Sequence, residues 1–466
     1  MQRKLKRLHF VGIGGIGMAA LAELLHTRGF TVTGSDLKRG PITNHLESLG
    51  VSVSTGHDAG LLGDSEVVVR STAIPDANVE LEAARAAHIP VISRGELLAE
   101  IIRGQDAVAV GGSHGKTTTS AMAAHILEYA GLDPTALIGG RVPRPDGCAS
   151  PTRLGGSDLL VAEVDESDGS FLLTRPVVAV VTNADPEHLD YYGTREALLD
   201  AFVEFANSVP FWGAAILGID HPGVAEIEQR INVRKIRFGF GAVADVRALD
   251  VEAIAGGQRF KVSTRGQDVC EYSISLPGRH NVLNSLAAIA VALEFDVPQA
   301  LIAEALGTFP GVGRRFERKG IVRGIEVVDD YAHHPAEIEA TLRAARSIHS
   351  GRIVAIFQPH RYSRTRDCWT EFLHCFGDAD RIIISEIYAA SEAPIPGIDG
   401  ASLASAISEA SQGDVHFGGS LDSIASSLPE SLASGDFVLT LGAGDIVELG
   451  PKLLDRIDGL SHRGRS

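Results

Sequence analysis

The sequence predicts an α/β protein with three domains. Two observations lead to this fold class. The chain has 466 residues, about three times the ~150 residues of an ordinary domain. Short apolar runs alternate with helix-periodic segments, and the alternation starts again twice along the chain. The predicted domains are 1–104, 105–311 and 312–466.

The first hundred residues read as strands that feed helices. The predicted strands are "LHFVGI", "FTVTGSD", "VSVSTGH", "EVVVRSTAI" and "IPVISRGE". Helical patterns such as "MAALAELLHTRG" lie between them. This order predicts a parallel sheet that is covered by helices on both faces.

The second and third domains repeat this pattern. It restarts at "GQDAVAVGGSHGKTTT", after Gly104, and continues through "LLVAEVDES" and "VVAVVTNADPEHLD". A segment with Pro310, Gly311 and Gly313 has the composition of a linker. After it come "IEVVDDYAHH", "RIVAIFQPHR", "RIIISEIYAA" and "DFVLTLGAGD", each of which predicts a strand and the loop that follows it.

Composition and charge narrow the function classes. The chain is 44% hydrophobic and 22% charged, and its formal net charge is −17. This charge favours a soluble protein and disfavours a surface for nucleic acid or anionic membrane, so an anionic substrate needs local basic pockets.

The N-terminus and the cysteines are both compatible with a soluble protein. The basic start "MQRKLKR" precedes an apolar run, but glycines and Glu23 interrupt the run, so we expect a cytoplasmic protein without a signal peptide. We expect reduced thiols at the four cysteines, Cys148, Cys270, Cys368 and Cys375.

The first glycine loop is Gly12-x-Gly14-x-x-Gly17, with Asp36 about twenty residues further on. This spacing is typical of a dinucleotide-binding turn, in which a helix N-terminus faces a diphosphate. The pattern by itself is compatible with NAD, with a uridine diphosphate, or with a structural turn that binds nothing.

The second glycine loop carries more information. A β-prone run ends at Gly112, and Gly115-Lys116-Thr117 opens a helix. Backbone N–H groups, the helix N-terminus and the lysine together suit a triphosphate, and the threonine hydroxyl suits Mg²⁺. Val110 stands where the common P-loop has its first glycine, so the loop is a variant. The alternative is a plain strand–helix turn with a solvated lysine.

Polar side chains follow the next two predicted strands. One set is Glu163, Asp165, Glu166 and Asp168. The other set is Asn183, Asp185, His188 and Asp190. Strand ends of an open α/β sheet are where ligands bind, and carboxylates there suit Mg²⁺. A solvated acidic turn and a surface histidine remain the alternatives.

Basic and acidic groups also mark strand ends in the last domain. Arg314 and Arg315 suit phosphate, or form a linker salt bridge to Glu317. The acids and histidines of "VVDDYAHHPAE" suggest a nucleotide or substrate pocket. Those of "FQPHRYSRTRD" suggest an anion clamp or a solvated loop.

Taken together, these motifs resemble the Mur ligase family. The resemblance covers nearly the whole chain in order, through "HFVGIGGIGM", "GSHGKTTT", "DESDGSF", "NADPEHLD", "GRHNVLNSLAA", "GVGRRFE", "DDYAHHP", "FQPHRYSRT", "SEAPIPG" and "GAGDI". It implies a Rossmann-like N-terminal domain for a UDP-sugar, a central P-loop ATPase domain, and a C-terminal Rossmann-like domain that helps bind ATP and an amino acid.

The resemblance also implies an activity. It is the ATP-dependent joining of L-alanine to UDP-N-acetylmuramate through an acyl phosphate, a cytoplasmic step of peptidoglycan precursor synthesis. ATP and Mg²⁺ are the implied cofactors. We expect a monomer or weak homodimer without a nucleic-acid or membrane partner. The alternatives are a ligase that recycles a preformed peptide onto UDP-muramate, an NAD(P)-dependent dehydrogenase, and a non-catalytic nucleotide-binding regulator.

Site residues follow from the two glycine loops and from the resemblance. The predicted catalytic residues are Lys116, His188 and Arg315. The predicted Mg²⁺ ligands are Thr117, Glu166 and His188. The predicted ATP-binding residues are Gly112, Ser113, His114, Gly115, Lys116, Thr117, Thr118, His280, Asn284, Arg315 and Asp330.

The predicted substrate residues divide between the two substrates. Those for the UDP-sugar include Gly14, Gly15, Ile16, Gly17, Met18, Ser35, Asp36 and Ser71. Asn183 is a further predicted substrate residue that is not assigned to either substrate. Those for the alanine and acyl-phosphate region are His334, Arg361 and Arg364. Two positions depart from the family pattern: Thr72 beside Ser71, and Ser391 where glycine is common.

Overall fold

The computed structural model of the chain describes residues 5–143, 149–265, 269–411 and 413–463. Positions 149, 190 and 460–463 are described by their backbone alone. The thiol predicted at Cys148 lies outside the described residues, whereas Cys270, Cys368 and Cys375 are free cysteines, as expected.

The described chain forms two compact units. The first unit comprises residues up to Leu249 together with Lys261–Tyr272 and Leu283–Pro310. The second unit comprises Asp250–Phe260, Ser273–Val282 and the chain from Gly311 onward.

The first unit begins with a five-stranded parallel sheet whose strand order is β3-β2-β1-β4-β5. Its strands are β1 (Arg7–Val11), β2 (Thr31–Asp36), β3 (Ser52–Thr55), β4 (Val67–Arg70) and β5 (Val91–Ser93). Its helices are α1 (Ile16–Thr27), α2 (Pro41–Ser48), α3 (Val79–Ala86) and α4 (Arg94–Ile102). The strand order changes direction between β1 and β4, and open α/β sheets bind their ligands at such a point.

Local sequence fixes where these helices begin. At the start of α4, the Ser93 hydroxyl accepts the Glu96 N–H at 3.1 Å, and the Glu96 carboxylate accepts the Ser93 N–H at 2.6 Å. This reciprocal capping satisfies two backbone donors that the helix itself leaves free. Asn78 caps α3 in a similar way, by accepting the Glu80 N–H at 2.9 Å.

A second sheet has the strand order β15-β14-β13-β12-β11-β10-β6-β9-β7-β8. Its strands are β6 (Asp106–Gly111), β7 (Thr135–Pro143), β8 (Ala149–Arg153), β9 (Leu159–Glu163), β10 (Val178–Val181), β11 (Ala214–Gly218), β12 (Lys235–Gly239), β13 (Val246–Ile254), β14 (Gly257–Thr264) and β15 (Cys270–Ile274). Helices in this part of the chain are α5 (Lys116–Tyr129), α6 (Leu189–Tyr192), α7 (Arg195–Ala206), α8 (Pro222–Ile227), α9 (Arg279–Glu294) and α10 (Gln299–Gly307).

The third sheet belongs to the second unit and has the strand order β16-β17-β21-β18-β19-β20. Its strands are β16 (Glu317–Val322), β17 (Ile325–Asp330), β18 (Ile353–Phe357), β19 (Arg381–Ser385), β20 (Asp414–Gly419) and β21 (Phe437–Leu441). Its helices are α11 (Pro335–Ile348), α12 (Tyr362–Asp367), α13 (Trp369–Phe372), α14 (Gly400–Ser411), α15 (Leu421–Ser427) and α16 (Leu449–Arg463). Only β16 runs antiparallel to its neighbour among the strands of this sheet whose pairing the structure describes.

Central strands are buried on both faces, which explains their unbroken apolar runs. In β6 the segment Ala107–Val110 has no exposed surface, and Ile353–Phe357 of β18 is equally buried. Truncating a side chain such as Phe357 in this core costs about 3–5 kcal/mol of unfolding free energy. These rigid strands hold the loops that carry the polar groups.

The alternating α/β architecture is therefore confirmed, while the residue numbers of the domain boundaries stay a prediction. None of the helices in the described ranges combines the length and the apolar character that a membrane span requires.

Candidate active site

The first glycine loop is preformed by the strand beside it. The N–H groups of Gly12 and Ile13 both donate to the Ser35 carbonyl, at 2.9 and 3.0 Å. Gly12 has a φ of +82°, and a Cβ there would lie 3.1 Å from the Ser71 side chain. Helix α1 begins directly after the loop, so its positive N-terminal end faces the crevice.

The residues predicted for the UDP-sugar lie around this loop. The carboxylate of Asp36 accepts the Gly14 N–H at 2.8 Å, and Ser71 lies beside Gly12. Met18 and Ser35 are different, because these residues are only 2% and 0% exposed. Their predicted contacts with a ligand stay predictions. The Ser35 hydroxyl donates inward, to Glu80, at 2.9 Å.

A basic residue beside the first loop was missed by sequence reasoning. Arg94 opens α4, and a Cβ on Gly17 would lie 2.9 Å from its guanidinium. The same guanidinium donates to Asp165 at 3.2 Å. The chain offered a weak signal, since Arg94 follows a predicted strand in an acidic protein. Arg94 thus lies between the first glycine loop and the acidic segment after β9.

The second glycine loop needs glycine at two positions. Gly112 has a φ of +128°, and a Cβ there would lie 2.1 Å from the Thr182 hydroxyl. Gly115 has a φ of +79°, and a Cβ there would lie 2.4 Å from Asn284 Oδ1. The loop closes against both neighbours and delivers Lys116 to the first position of α5.

Lys116 is held by its own loop and by one carboxylate. Its ammonium donates to the carbonyls of Gly112 and Ser113, at 2.6 and 3.1 Å, and lies 2.8 Å from Glu166 Oε2. Burial is the largest single effect and lowers the pKa of Lys116, but the charge and hydrogen bond of Glu166, together with the charges of Glu163 and Asp165, outweigh it and the net pKa is raised. Burial raises the pKa of Glu166 to about 7 against the opposing effect of Lys116.

Carboxylates and one histidine form a candidate cation site. Glu166, Glu187 and His188 each place one ligand atom within 4.8 Å of the others. The Thr117 hydroxyl donates to Glu163 at 3.0 Å. Three carboxylates and a hydroxyl provide the hard oxygen donors that Mg²⁺ prefers, so the residues present fit this ion.

Two of these acids were not among the predicted ligands. The sequence placed Glu163 at a strand end without assigning it to the metal, and Glu187 was not singled out. The sequence did offer one signal for Glu187, because Glu187 comes directly before the predicted ligand His188.

The other residues predicted near the second loop hold its shape. Both ends of the Asn183 amide bond to the His114 backbone, at 2.7 and 2.9 Å. The Ser113 hydroxyl donates to the Asp185 carbonyl at 3.0 Å. Thr118 is 5% exposed. Asn284 accepts from the Thr119 hydroxyl at 3.3 Å. The ligand contacts predicted for these residues stay predictions.

In the second unit, Asp330 and Arg315 form a second polar site. Asp330 ends β17, and its carboxylate accepts the N–H groups of Phe316 and Ala332 at 2.7 and 2.8 Å. Burial raises the pKa of Asp330 to about 6. The Arg315 guanidinium lies 5.3 Å from the centroid of the Tyr331 ring. Burial and the charge of Arg315 lower the pKa of His280 to about 4.

The neighbouring arginine has a different position. Arg314 has a φ of +61°, and its guanidinium donates to Asp329, which has no exposed surface, at 3.1 Å. It also donates to the carbonyls of Gly442 and Gly444, at 2.5 and 3.3 Å. Arg314 therefore ties β17 to the loop after β21. Both side chains are partly exposed, Arg314 to 21% and Arg315 to 28%, so the two arginines differ in their partners and not in their exposure.

The residues predicted for alanine lie at strand ends of the same unit. His334 caps α11, and Arg361 immediately precedes α12 with a φ of +70°. Arg364 donates to His360 Nδ1 at 3.2 Å, and the His360 ring stacks on Tyr388 at 5.5 Å. Their contacts with a substrate stay predictions.

Two glycine loops at helix N-termini, a lysine and a candidate Mg²⁺ site define the class of protein: a nucleotide-binding enzyme of several α/β domains. Three family descriptions match along the chain. "Mur ligase family, catalytic domain" matches residues 7–106, "Mur ligase middle domain" matches 110–292, and "Mur ligase, glutamate ligase domain" matches 314–444.

Curated relatives match over nearly the whole chain. A UDP-N-acetylmuramate–L-alanine ligase of Solibacter usitatus is 48% identical over 452 residues, which are 97% of this chain and 95% of the relative. A ligase of the same name from Geobacter sp. strain M21 is 47% identical over 458 residues, covering 98% of this chain and 99% of the relative. This chain therefore belongs to the Mur ligase family.

Solved structures agree with this assignment. The UDP-N-acetylmuramate-alanine ligase of Thermotoga maritima superposes with a TM-score of 0.83 at 28% identity, covering 97% of this chain and 99% of that one. A murein peptide ligase of Psychrobacter arcticus gives 0.71 at 27% identity, covering 97% and 98%. The predicted three-domain fold and the family resemblance are both confirmed.

Proposed function

We propose that this protein joins L-alanine to UDP-N-acetylmuramate with the cleavage of ATP, as a step of peptidoglycan precursor synthesis. The observation that carries the proposal is a sequence identity of 46–48% to ligases of this name over nearly the full chain. The second glycine loop, with Lys116 held against Glu166, has the side chains that such a ligase needs. The NAD(P)-dehydrogenase and regulator alternatives are not favoured, because the relatives are ligases along their whole length.

A carboxylate is a poor acyl donor, because its leaving group would be oxide. Transfer of the ATP γ-phosphoryl group to the lactyl carboxylate gives an acyl phosphate. The α-amine of alanine attacks the acyl carbon, a tetrahedral intermediate forms, and inorganic phosphate leaves. None of these steps requires a side-chain nucleophile, so catalysis depends on positioning and charge.

The residues of the chain take defined parts in this reaction. We assign to Lys116 the stabilisation of negative charge on the moving phosphoryl group, and we assign the same role to Arg315 of the C-terminal domain. Thr117, Glu166 and His188 would hold Mg²⁺, with Glu187 as a further ligand. The ion, when bound, neutralises phosphate charge. Asp330 and His280 are proposed to lie at the ribose and adenine end of ATP. His334, Arg361 and Arg364 are proposed to hold alanine and the acyl phosphate.

Phosphate release tests the proposal directly. Purified protein with ATP, Mg²⁺ and UDP-N-acetylmuramate should release phosphate when L-alanine is added. Release with a preformed tripeptide but not with alanine would assign the recycling reaction instead. Oxygen-18 in the substrate carboxylate should appear in the released phosphate, because the acyl phosphate breaks at that oxygen. We place the reaction in the cytoplasm and expect a monomer or weak homodimer.

A further inference from the structure

A cleft of about 690 Å³ lies beside α5, and none of the described residues that line it is assigned to ATP, Mg²⁺, the UDP-sugar or alanine. Its polar lining includes Glu23 of α1 and Thr152 of β8. Its apolar wall consists of side chains on and near α5, β7 and β8: Ala121, Ala124, Ala136, Ile138 and Leu154. An apolar wall with a few polar groups, at this volume, is the usual form of a small-molecule site. We call it the α5 cleft.

The α5 cleft is separated from the phosphate-binding loop along the helix. Lys116 is the first residue of α5, whereas the helix residues that line the cleft run from Ala121 to Tyr129. At ~1.5 Å per residue, they lie about 8 to 20 Å from Lys116 along the helix axis. Glu23 belongs to α1, the helix that follows the first glycine loop. A ligand in the cleft therefore contacts both helices that follow the glycine loops, at a distance from Lys116.

Thr152 contributes a buried hydroxyl to the cleft. The residue is 1% exposed, and its Oγ1 has no hydrogen-bond partner within the part of the chain that the structure describes. Its backbone N–H, by contrast, donates to the Ser150 hydroxyl at 3.1 Å. Because a buried hydroxyl without a partner is unfavourable, a ligand that bonds to Thr152 gains affinity.

Glu23 contributes a buried negative charge. The residue is 7% exposed, and its ion-pair partner, His45 Nε2, is 3.7 Å away on a side chain that is half exposed. That distance is too long for a hydrogen bond, and no other residue in the described ranges donates one to this carboxylate. A carboxylate with little access to water and no donor favours a cationic ligand.

The other charged groups of the lining are already paired. Arg153 Nε lies 2.8 Å from a carboxylate oxygen of Glu128, and Arg153 Nη2 lies 2.7 Å from Asp133. His125 Nε2 donates to the Ala305 carbonyl at 2.9 Å, and burial lowers the pKa of His125, so the ring is neutral at pH 7. The charge that remains for a ligand is therefore the negative charge of Glu23.

We propose that the α5 cleft binds a small organic cation. The ammonium group of the ligand pairs with Glu23, and its apolar body lies against Ala121, Ala124 and Ile138. A hydrogen-bonding group on that body reaches the Thr152 hydroxyl. An amine that carries a ring of the size of indole has all three features, whereas neutral and acidic analogues lack the first. The charge of the ligand is therefore expected to decide its affinity.

Three probes share one ring and differ in charge: tryptamine, its neutral alcohol analogue tryptophol, and indole-3-propionate. Titration calorimetry with the full chain at pH 7.5, with ADP and Mg²⁺ in excess, keeps the nucleotide site occupied. Tryptamine should bind with a Kd of roughly 0.1 to 1 mM. Tryptophol should bind about 10-fold more weakly, because it lacks the charged donor, and the propionate should bind more weakly still.

Two variants separate the contributions of charge and hydroxyl. Glu23→Gln should bind tryptamine no more tightly than tryptophol, because the amide removes the negative charge. Thr152→Val has the same shape without the hydroxyl, so all three probes should bind about 5-fold more weakly to it. Glu100→Gln is the matched control, because Glu100 is exposed and pairs with Arg103 at 3.1 Å. This control should keep the preference for tryptamine.

Equal binding of tryptamine and tryptophol to the unaltered protein would overturn the proposal without any variant. So would a preference for tryptamine that survives in E23Q. Loss of tryptamine binding when ADP is added would also overturn it, since the amine would then occupy the nucleotide site. A cooperative thermal unfolding transition shows that E23Q is folded. These measurements do not involve ligation, so their outcome is separate from that of the proposed function.

Discussion

The ammonium of Lys116 lies 2.8 Å from a carboxylate oxygen of Glu166, so two side chains predicted to act on ATP and Mg²⁺ contact each other in the chain by itself. Glu166 is 1% exposed and Lys116 is 16% exposed. Neither charge is well solvated, and each is the other's counter-ion. If nucleotide and metal bind here as proposed, they replace a contact that already exists.

Lys116→Ala should abolish ADP formation while leaving UDP binding nearly intact. The lysine is the cation of the second loop, whereas the UDP-sugar is assigned to the first loop. Coupled ADP release and UDP calorimetry measure the two effects. Lys452→Ala is a matched control, because that lysine is exposed and pairs with Asp422 on the surface. Loss of both functions in K116A would mean that the two sites are not separate.

Glu166→Gln should raise the Mg²⁺ concentration needed for half-maximal activity by about 10-fold or more, because a carboxylate ligand is replaced by a neutral amide. Titration of activity with Mg²⁺ at saturating ATP measures this change. Glu187→Gln should shift the same curve if Glu187 is a ligand. Glu226→Gln, which removes only an exposed pair with Arg195, should leave it in place. An unshifted curve for E166Q would remove Glu166 from the metal site.

Arg314→Ala and Arg315→Ala should affect different properties. Removing Arg314 leaves Asp329 buried without its arginine, which costs about 3–5 kcal/mol of unfolding free energy. Removing Arg315 should change that free energy by about 1 kcal/mol or less and should raise the KM for ATP. Urea unfolding and steady-state kinetics distinguish the two. A folded R314A with weakened ATP use would reverse the assignment.

The second unit should lose stability as the pH falls below 6.5. Burial is the main cause that lowers the pKa of His280 to about 4, of His333 to about 3 and of His360 to about 4. The unfolded chain binds these protons near pH 6.5, whereas the folded chain does not. The contribution of these three histidines to the unfolding free energy is therefore complete above pH 6.5, and it decreases as the pH goes from 6.5 toward 4.

Urea unfolding at pH 7.5, 6.0 and 5.0 measures this slope. His360→Asn retains an acceptor for Arg364 but cannot be protonated, so the slope should be shallower in that variant. A slope that is identical with and without His360 would show that this histidine does not contribute to it.

Local features of the site could be predicted from the sequence. Gly112, Gly115 and Lys116 are adjacent in the chain, and the backbone geometry of a phosphate-binding turn needs those residue types in that order. The strand-end carboxylates could be predicted too, because parallel strands end at one edge of a sheet. The folded chain brings Glu166 to Lys116 across 50 positions of sequence, as this logic expects.

Contacts set by tertiary packing could not be predicted. Glu80 meets His9 across 71 residues and His57 across 23, and no local pattern links the three. Arg314 and Arg315 are identical in type and adjacent in sequence. Arg314 has a positive φ and its side chain contacts Asp329 and the Gly442 carbonyl after β21, and the sequence does not show which of the two arginines takes this position. Met18 and Ser35 were predicted to contact the UDP-sugar from a sequence motif, and a motif does not show which residues are buried in the core.

The resting state of the second loop bears on which form of the nucleotide can enter. Lys116 is already paired with Glu166, and Glu163 and Glu187 lie beside the same loop, to which we assign the phosphates of ATP. Uncomplexed ATP would bring its negative tail against like charges, whereas the magnesium complex brings the cation that these oxygens lack. On the assignment of ATP to this loop, the charges of the protein before any substrate has bound therefore favour the magnesium complex over uncomplexed ATP.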